Sequence, residues 1–137
     1  MKLVIANALS ALLSGIKINK ITDKKTKSIL LSDFLNLRKA VKDAEAERQE
    51  IIDKFQKDWS DELSEVAKCR ADKAPVEGHD EFLEAEKDAN SLIAEIFNKD
   101  VEVKIEPIAL EKFTSYCESE DITFEQIAFL QDFGIIN

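Results

Sequence analysis

Residues 27–55 read KSILLSDFLNLRKAVKDAEAERQEIIDKF, and the spacing inside this stretch decides the fold. Leu30, Phe34, Leu37, Val41, Ala44, Ile51 and Phe55 recur in steps of three and four, with Arg48 as the one interruption. That period places them on a single stripe of one long helix. A helix of this length is not stable alone in water, so the stripe must be buried against something else. The opposite face carries Lys39, Lys42, Asp43, Glu47, Glu50 and Asp53, a solvated surface that includes the i,i+4 pair Glu50–Lys54.

The pattern extends past Trp59 through Leu63, Val66 and Arg70 and stops where Pro75 disfavours helix for Ala74 and Gly78 loosens the chain. A second helical stripe follows, with Phe82, Ala85, Ala89, Leu92 and Ile96 on one face and Ile93 and Phe97 beside it. Two long helices joined by a short turn lie antiparallel, so residues 22–100 are expected to form a helical hairpin. Phe34, Leu37, Val41, Phe55 and Trp59 are the residues expected to carry its packing or assembly.

On either side of the hairpin the elements are shorter. Residues 1–21 read as an amphipathic helix on Leu3, Ala6, Leu9, Leu13 and Ile16, closed by Gly15 as a C′ residue, and then a brief extended stretch over 16–21. The apolar start loosely resembles a signal peptide. Its single lysine, the interruptions at Asn7 and Ser10 and the missing small-x-small cleavage site favour the helix. Thr22 or Asp23 caps the long helix. Residues 101–137 begin with Val101-Glu102-Val103-Lys104-Ile105, strictly alternating and β-branched at each apolar position. Its one evident partner is 16–21, which would give a small two-stranded ribbon; pairing with another subunit is the other way to satisfy it. Pro107 is placed to open a helix over Ile108, Leu110, Phe113 and Tyr116. After 118–121, Thr123 and Gln126 have the form of a capping box for a last helix ended by Gly134. The fold class is mainly α, in one domain: a long antiparallel helical hairpin with short flanking helices and at most a two-stranded β ribbon.

Composition narrows the chemistry. A net charge of −9 argues against direct nucleic-acid binding, which draws its affinity from cations on phosphates. The locally basic Lys17, Lys20, Lys24, Lys25 and Lys27 lack arginine and interleaved aromatics and read as a solvated helix start. No run is long enough to span a membrane. Cys69 and Cys117 have no metal-ligand spacing and fit free thiols in a reducing cytosol. The lone His79 beside Asp80 and Glu81 reads as a loop or N-cap residue. There is no P-loop, nucleophile elbow or HExxH. The sharpest enzymatic alternative is carried by Glu62, Glu65, Glu77 and Asp80, which together look like the E-x-x-E…E-x-x-D arrangement of all-α, Mg²⁺-dependent nucleoside triphosphate pyrophosphohydrolases of the MazG type. Here the second pair falls in the expected Pro/Gly turn instead of a helix, and 28 acidic residues generate such spacings by chance.

The order of elements resembles small phage- and prophage-encoded proteins of unknown function, the DUF1617-like group, over residues 1–113. The likeness rests on the short first helix, the acidic run Ala44-Glu45-Ala46-Glu47-Arg48-Gln49-Glu50-Ile51-Ile52-Asp53-Lys54-Phe55, the hydrophilic gap, the helix end Leu92-Ile93-Ala94-Glu95-Ile96-Phe97, and the alternating segment leading to Pro107-Ile108. It implies a phage accessory in the host cytoplasm or associated with the virion, and it brings no catalytic residues. The expected function is therefore non-enzymatic: a structural or protein-interaction module, self-associating or binding a protein partner, with no cofactor, no metal, no nucleic acid and no membrane. An acidic regulator or antitoxin-like mimic of nucleic acid is the remaining alternative, weakened by the interspersed lysines.

Overall fold

A computed structural model describes residues 1–117 and 122–137, except for the side chains of Ser115 and Cys117. Residues 118–121, and the free-thiol reading of Cys117, lie outside what is described. The protein is mainly helical: α1 (Leu3–Ser14), a 3-10 turn (Ile18–Lys20), α2 (Lys24–Asp58), α3 (Ser60–Ala71), α4 (Asp80–Phe97), α5 (Leu110–Cys117) and α6 (Phe124–Asp132). Among the described residues it divides into two compact units, Met1–Lys42 with Asp100–Asn137, and Asp43–Lys99; α2 runs through both.

In the first unit, Asp23 caps α2: one carboxylate oxygen accepts from the Thr26 N–H at 3.0 Å and from the Thr26 hydroxyl at 2.7 Å. These bonds hold the Asp23 carboxyl below its ordinary value. The core is built from Leu3, Ala6, Leu9 and Leu13 of α1, Leu30, Leu37 and Val41 of α2, Phe113 and Tyr116 of α5, and Leu130, Ile135 and Ile136 at the C-terminal end. The Tyr116 ring stacks on Phe113 at 5.4 Å, and its hydroxyl accepts from the Lys17 N–H at 3.0 Å. The capping box of α6 forms as read: Thr123 Oγ1 accepts from Gln126 N–H, and Gln126 Oε1 accepts from Thr123 N–H. Gly134, at φ +81°, turns the chain back after α6. That reversal lets Ile135 and Asn137 exchange backbone hydrogen bonds with Ile108.

Three local expectations are corrected here. Gly15 caps α1 in the right-handed region, at φ −81°, so it does not supply a left-handed C′. Residues 18–20 tighten into a 3-10 turn, so they offer no strand edge to 101–105, and the ribbon does not form. Pro107 ends an extended stretch, and α5 starts three residues later.

In the second unit, α2 ends one residue before Trp59, whose φ of −121° and ψ of 23° break the helix. The ladder is bridged across the break, because Trp59 N–H donates to Phe55 C=O and Trp59 C=O accepts from Glu62 and Leu63. The expected continuous helix is thus two helices with one residue between them. The turn falls over 72–79, as the proline and glycine require, and α3 and α4 form the hairpin's closed end. Phe82 of α4 is buried against Phe55 at 5.2 Å and edge-on to Trp59 at 5.9 Å.

Candidate protein-interaction surface

The residues picked from the stripe meet different fates. Leu37 and Val41 are core. Phe34 lies on the flank and lines an apolar pocket with Leu13, Ile16, Ile18, Leu30 and Leu31. Phe55 and Trp59 are half-buried around Phe82.

The unit Asp43–Lys99 has a thin core: across its 57 residues, only Ala44, Val66, Phe82 and Ile96 are fully buried apolar side chains. The reason is in its sequence. Between Ala44 and Ile51, α2 presents only Glu45, Ala46, Glu47, Arg48, Gln49 and Glu50, so its apolar seam resumes late. What remains is a half-open groove on this unit, lined by Ile51, Ile52, Phe55, Leu63, Ala89 and Ile93, with Gln56, Glu86 and Asn90 at its polar positions. Leu92, beside it on α4, is 52% exposed.

Charge is divided as unevenly as burial. Asp43–Lys99 holds 17 acidic and eight basic residues, which accounts for the whole net charge of −9, while the other unit balances 11 against 11. Inside this acidic unit two polar clasps hold α3 to the chain that follows it. Arg70 grips Glu86 through two parallel bonds of 3.0 and 2.7 Å. That grip lowers the Glu86 carboxyl below its ordinary value and raises the Arg70 guanidinium. His79, the N-cap residue of α4, has Nδ1 2.8 Å from a Glu62 oxygen and Nε2 3.3 Å from a Glu65 oxygen. Only the doubly protonated ring can donate to both at once.

This second clasp bears on the pyrophosphohydrolase alternative. Glu62 and Glu65 do share one face, but what they face is the His79 ring. Glu77 stays in the exposed turn and Asp80 is the exposed first residue of α4. Among the described residues no group of three or more His, Cys, Asp or Glu side chains is arranged to hold a metal ion. Among the described residues, no helix is long and apolar enough to cross a membrane.

One buried group escaped the sequence reading. Asp33 is 1% exposed; its Oδ1 accepts from the Glu106 N–H at 2.9 Å, and its Oδ2 is buried without a hydrogen-bond partner among the described residues. The signal was present: Thr26, Leu30, Asp33, Leu37, Val41 and Ala44 are the buried positions of α2, and they keep three-four spacing with two polar members. Apolar residues alone place the stripe on Phe34 instead.

Burial pushes the Asp33 carboxyl up to about 6; the bond from Glu106 N–H opposes the shift and the Glu106 charge adds to it. The folded chain thus keeps this proton between about pH 4 and pH 6, where the unfolded chain has released it. The stability it contributes is complete below the unfolded value of 3.8 and is lost as pH rises through about 6. Asp33→Asn keeps an acceptor for Glu106 and carries no charge. Urea unfolding from pH 4 to 8 should show the variant more stable than the parent at pH 8 by about 1–3 kcal/mol, with the difference vanishing toward pH 4. A pH-independent difference would refute the buried carboxyl as its source.

No family model matches the chain, and neither a curated protein nor a solved structure matches it.

Proposed function

We propose that this chain is a non-enzymatic protein-interaction module, of the phage or prophage accessory kind its element order resembles, and that it binds an amphipathic helix with a basic polar face. The observation that carries this reading is the half-open apolar groove on the most acidic part of the chain. A thin core that leaves Ile51, Ile52 and Ile93 half-covered is a costly arrangement unless another apolar face completes it. Helix-in-groove recognition supplies such a face through i, i+3, i+4 and i+7 anchors. The net charge of −9 around the groove speeds the approach of a basic helix and rejects an acidic one.

The test uses two synthetic peptides, an amphipathic Leu/Lys helix and its Leu/Glu counterpart. Trp59, the only tryptophan, packs near the Phe55 wall of the groove and reports occupancy by its emission. The Leu/Lys peptide should shift that emission saturably, the Leu/Glu peptide should not, and Ile93→Glu should weaken binding at least about tenfold, the effect of one misplaced anchor. Lack of a saturable shift with the Leu/Lys peptide overturns the proposal. Binding that survives Ile93→Glu and falls with salt alone overturns it in favour of the acidic regulator, whose surface needs no groove.

A further inference from the structure

The segment 101–107, in the first unit, contains no helix, turn or bend, and it has different neighbours on its two edges. Backbone groups of alternate residues in an extended chain point to opposite edges. On one edge, the Lys104 C=O accepts from the Asn36 amide at 3.0 Å and the Glu106 N–H donates to Asp33. Both bonds tie that edge to α2. On the other edge Val101 exchanges two bonds with Met1, its N–H donating at 2.7 Å and its C=O accepting from the terminal ammonium at 3.0 Å. Beyond Met1 this edge continues as the N–H and C=O of Val103 and Ile105 and the C=O of Pro107. None of these groups has a hydrogen-bond partner among the described residues. It is an open strand edge beside a half-covered apolar row, Val101, Val103 and Ile105.

We propose that this outer edge pairs with the same edge of a second copy of the chain, antiparallel and centred on Ile105. The charges select both the occupant and the register. Centred on Ile105, the pairing sets Lys104 opposite Glu106 of the second copy, and the two-fold axis repeats that pair. Centred one residue earlier it would set Lys104 against Lys104 and Glu102 against Glu106, all like charges. Centred on Val103 it would drive Ile105 of the second copy into the place held by Met1. In the selected register the two Ile105 residues exchange both backbone bonds, and each Val103 N–H donates to the Pro107 C=O of the other copy. Proline cannot return that bond, so the ladder ends there. The two half-covered apolar rows then lie side by side. A lysine and a proline on an edge ordinarily discourage pairing. Here the lysine has its counter-charge two residues away, so it discourages the wrong register and admits this one.

This surface is separate from the helical groove and stands without it. The experiment is the solution mass of the whole chain by light scattering across concentration, for the parent, Lys104→Glu, Glu106→Lys and the double exchange. Both positions of change carry exposed side chains, and circular dichroism at the same pH confirms the fold is kept. The parent should dimerise. Each single exchange puts two like-charged pairs across the ladder and should raise the dissociation constant about tenfold or more, and the double exchange should restore it. A parent that stays monomeric at every concentration overturns the proposal, as does a dimer indifferent to the single exchanges. A dimer lost with Ile93→Glu but kept with Lys104→Glu also overturns it, because that assembly would run through the groove.

Discussion

Replacing Phe82 with alanine should cost about 3–5 kcal/mol of stability, a large share of what a domain of this size possesses. Phe82 is 1% exposed and is the one aromatic side chain fully buried in Asp43–Lys99. It contacts Phe55 at 5.2 Å with the rings tilted 54°, and meets Trp59 edge-on at 86°. Such ring pairs contribute about 0.5–1.5 kcal/mol each beyond the area they bury. The other fully buried apolar side chains of the unit are Ala44, Val66 and Ile96, too few and too small to close on the cavity. The loss should appear as a lower urea midpoint, with Trp59 emission already shifted in the folded baseline because its ring partner is gone. A cost below about 1 kcal/mol would place Phe82 outside the core.

Val41→Asp should be as severe for a different reason. Val41 is 5% exposed on the buried stripe of α2, one turn from Leu37, which is fully buried. A carboxylate there has no cation opposite it in the stripe and loses its water, so folding must either bear an unpaired charge or take up a proton. The expected loss is about 3–5 kcal/mol at pH 7, shrinking as pH falls toward the value at which the carboxyl is neutral. Val41→Ala removes the same contacts without charge and should cost clearly less and show no such pH dependence. Thermal melting and light-scattering mass, read together, check it: an aspartate variant with unchanged melting and unchanged mass would mean that the stripe is not a buried seam.

The sequence made the helices legible because helical period is a local property. Leu37, Val41, the Pro75–Gly78 break and the Thr123–Gln126 box each act within a turn or two of the chain, and each sits where its spacing requires. The misplacements involve choices made by tertiary contacts. Residues 18–20 tighten into a 3-10 turn beside Lys17, whose N–H is engaged by the Tyr116 hydroxyl, 99 residues away, and no local pattern announces that. The 101–105 alternation reads as a strand and is extended, but a ladder needs a second chain segment, and α2 offers side chains in its place. Asp33 was hidden by a rule that assigns buried positions to apolar residues; only its acceptor role toward Glu106 explains its burial. The groove was partly legible, since Ile51, Phe55, Ala89 and Ile93 all lie on apolar stripes. Its half-open state was not, because the gap from Glu45 to Glu50 shows as a missing wall only once α3 and α4 are in place.

Four hydrogen bonds joining the two sequence segments of the first unit span 68 to 100 residues, linking Asn36 to Lys104, Asp33 to Glu106, Lys17 to Tyr116 and Met1 to Val101. The clasps of the second unit span 16 and 17, from Arg70 to Glu86 and from Glu62 to His79. Short loops close at little entropic cost, so the hairpin reaches its native contacts early, while the first unit waits for two segments held apart by the one between them. During synthesis α1 and the front of α2 leave the ribosome before Phe113, Tyr116 and Leu130, so the core they share stays incomplete until residues beyond 100 emerge. The first unit is therefore begun before the hairpin and completed after it, and in that interval its apolar side chains are open to chaperones, proteases and neighbouring chains.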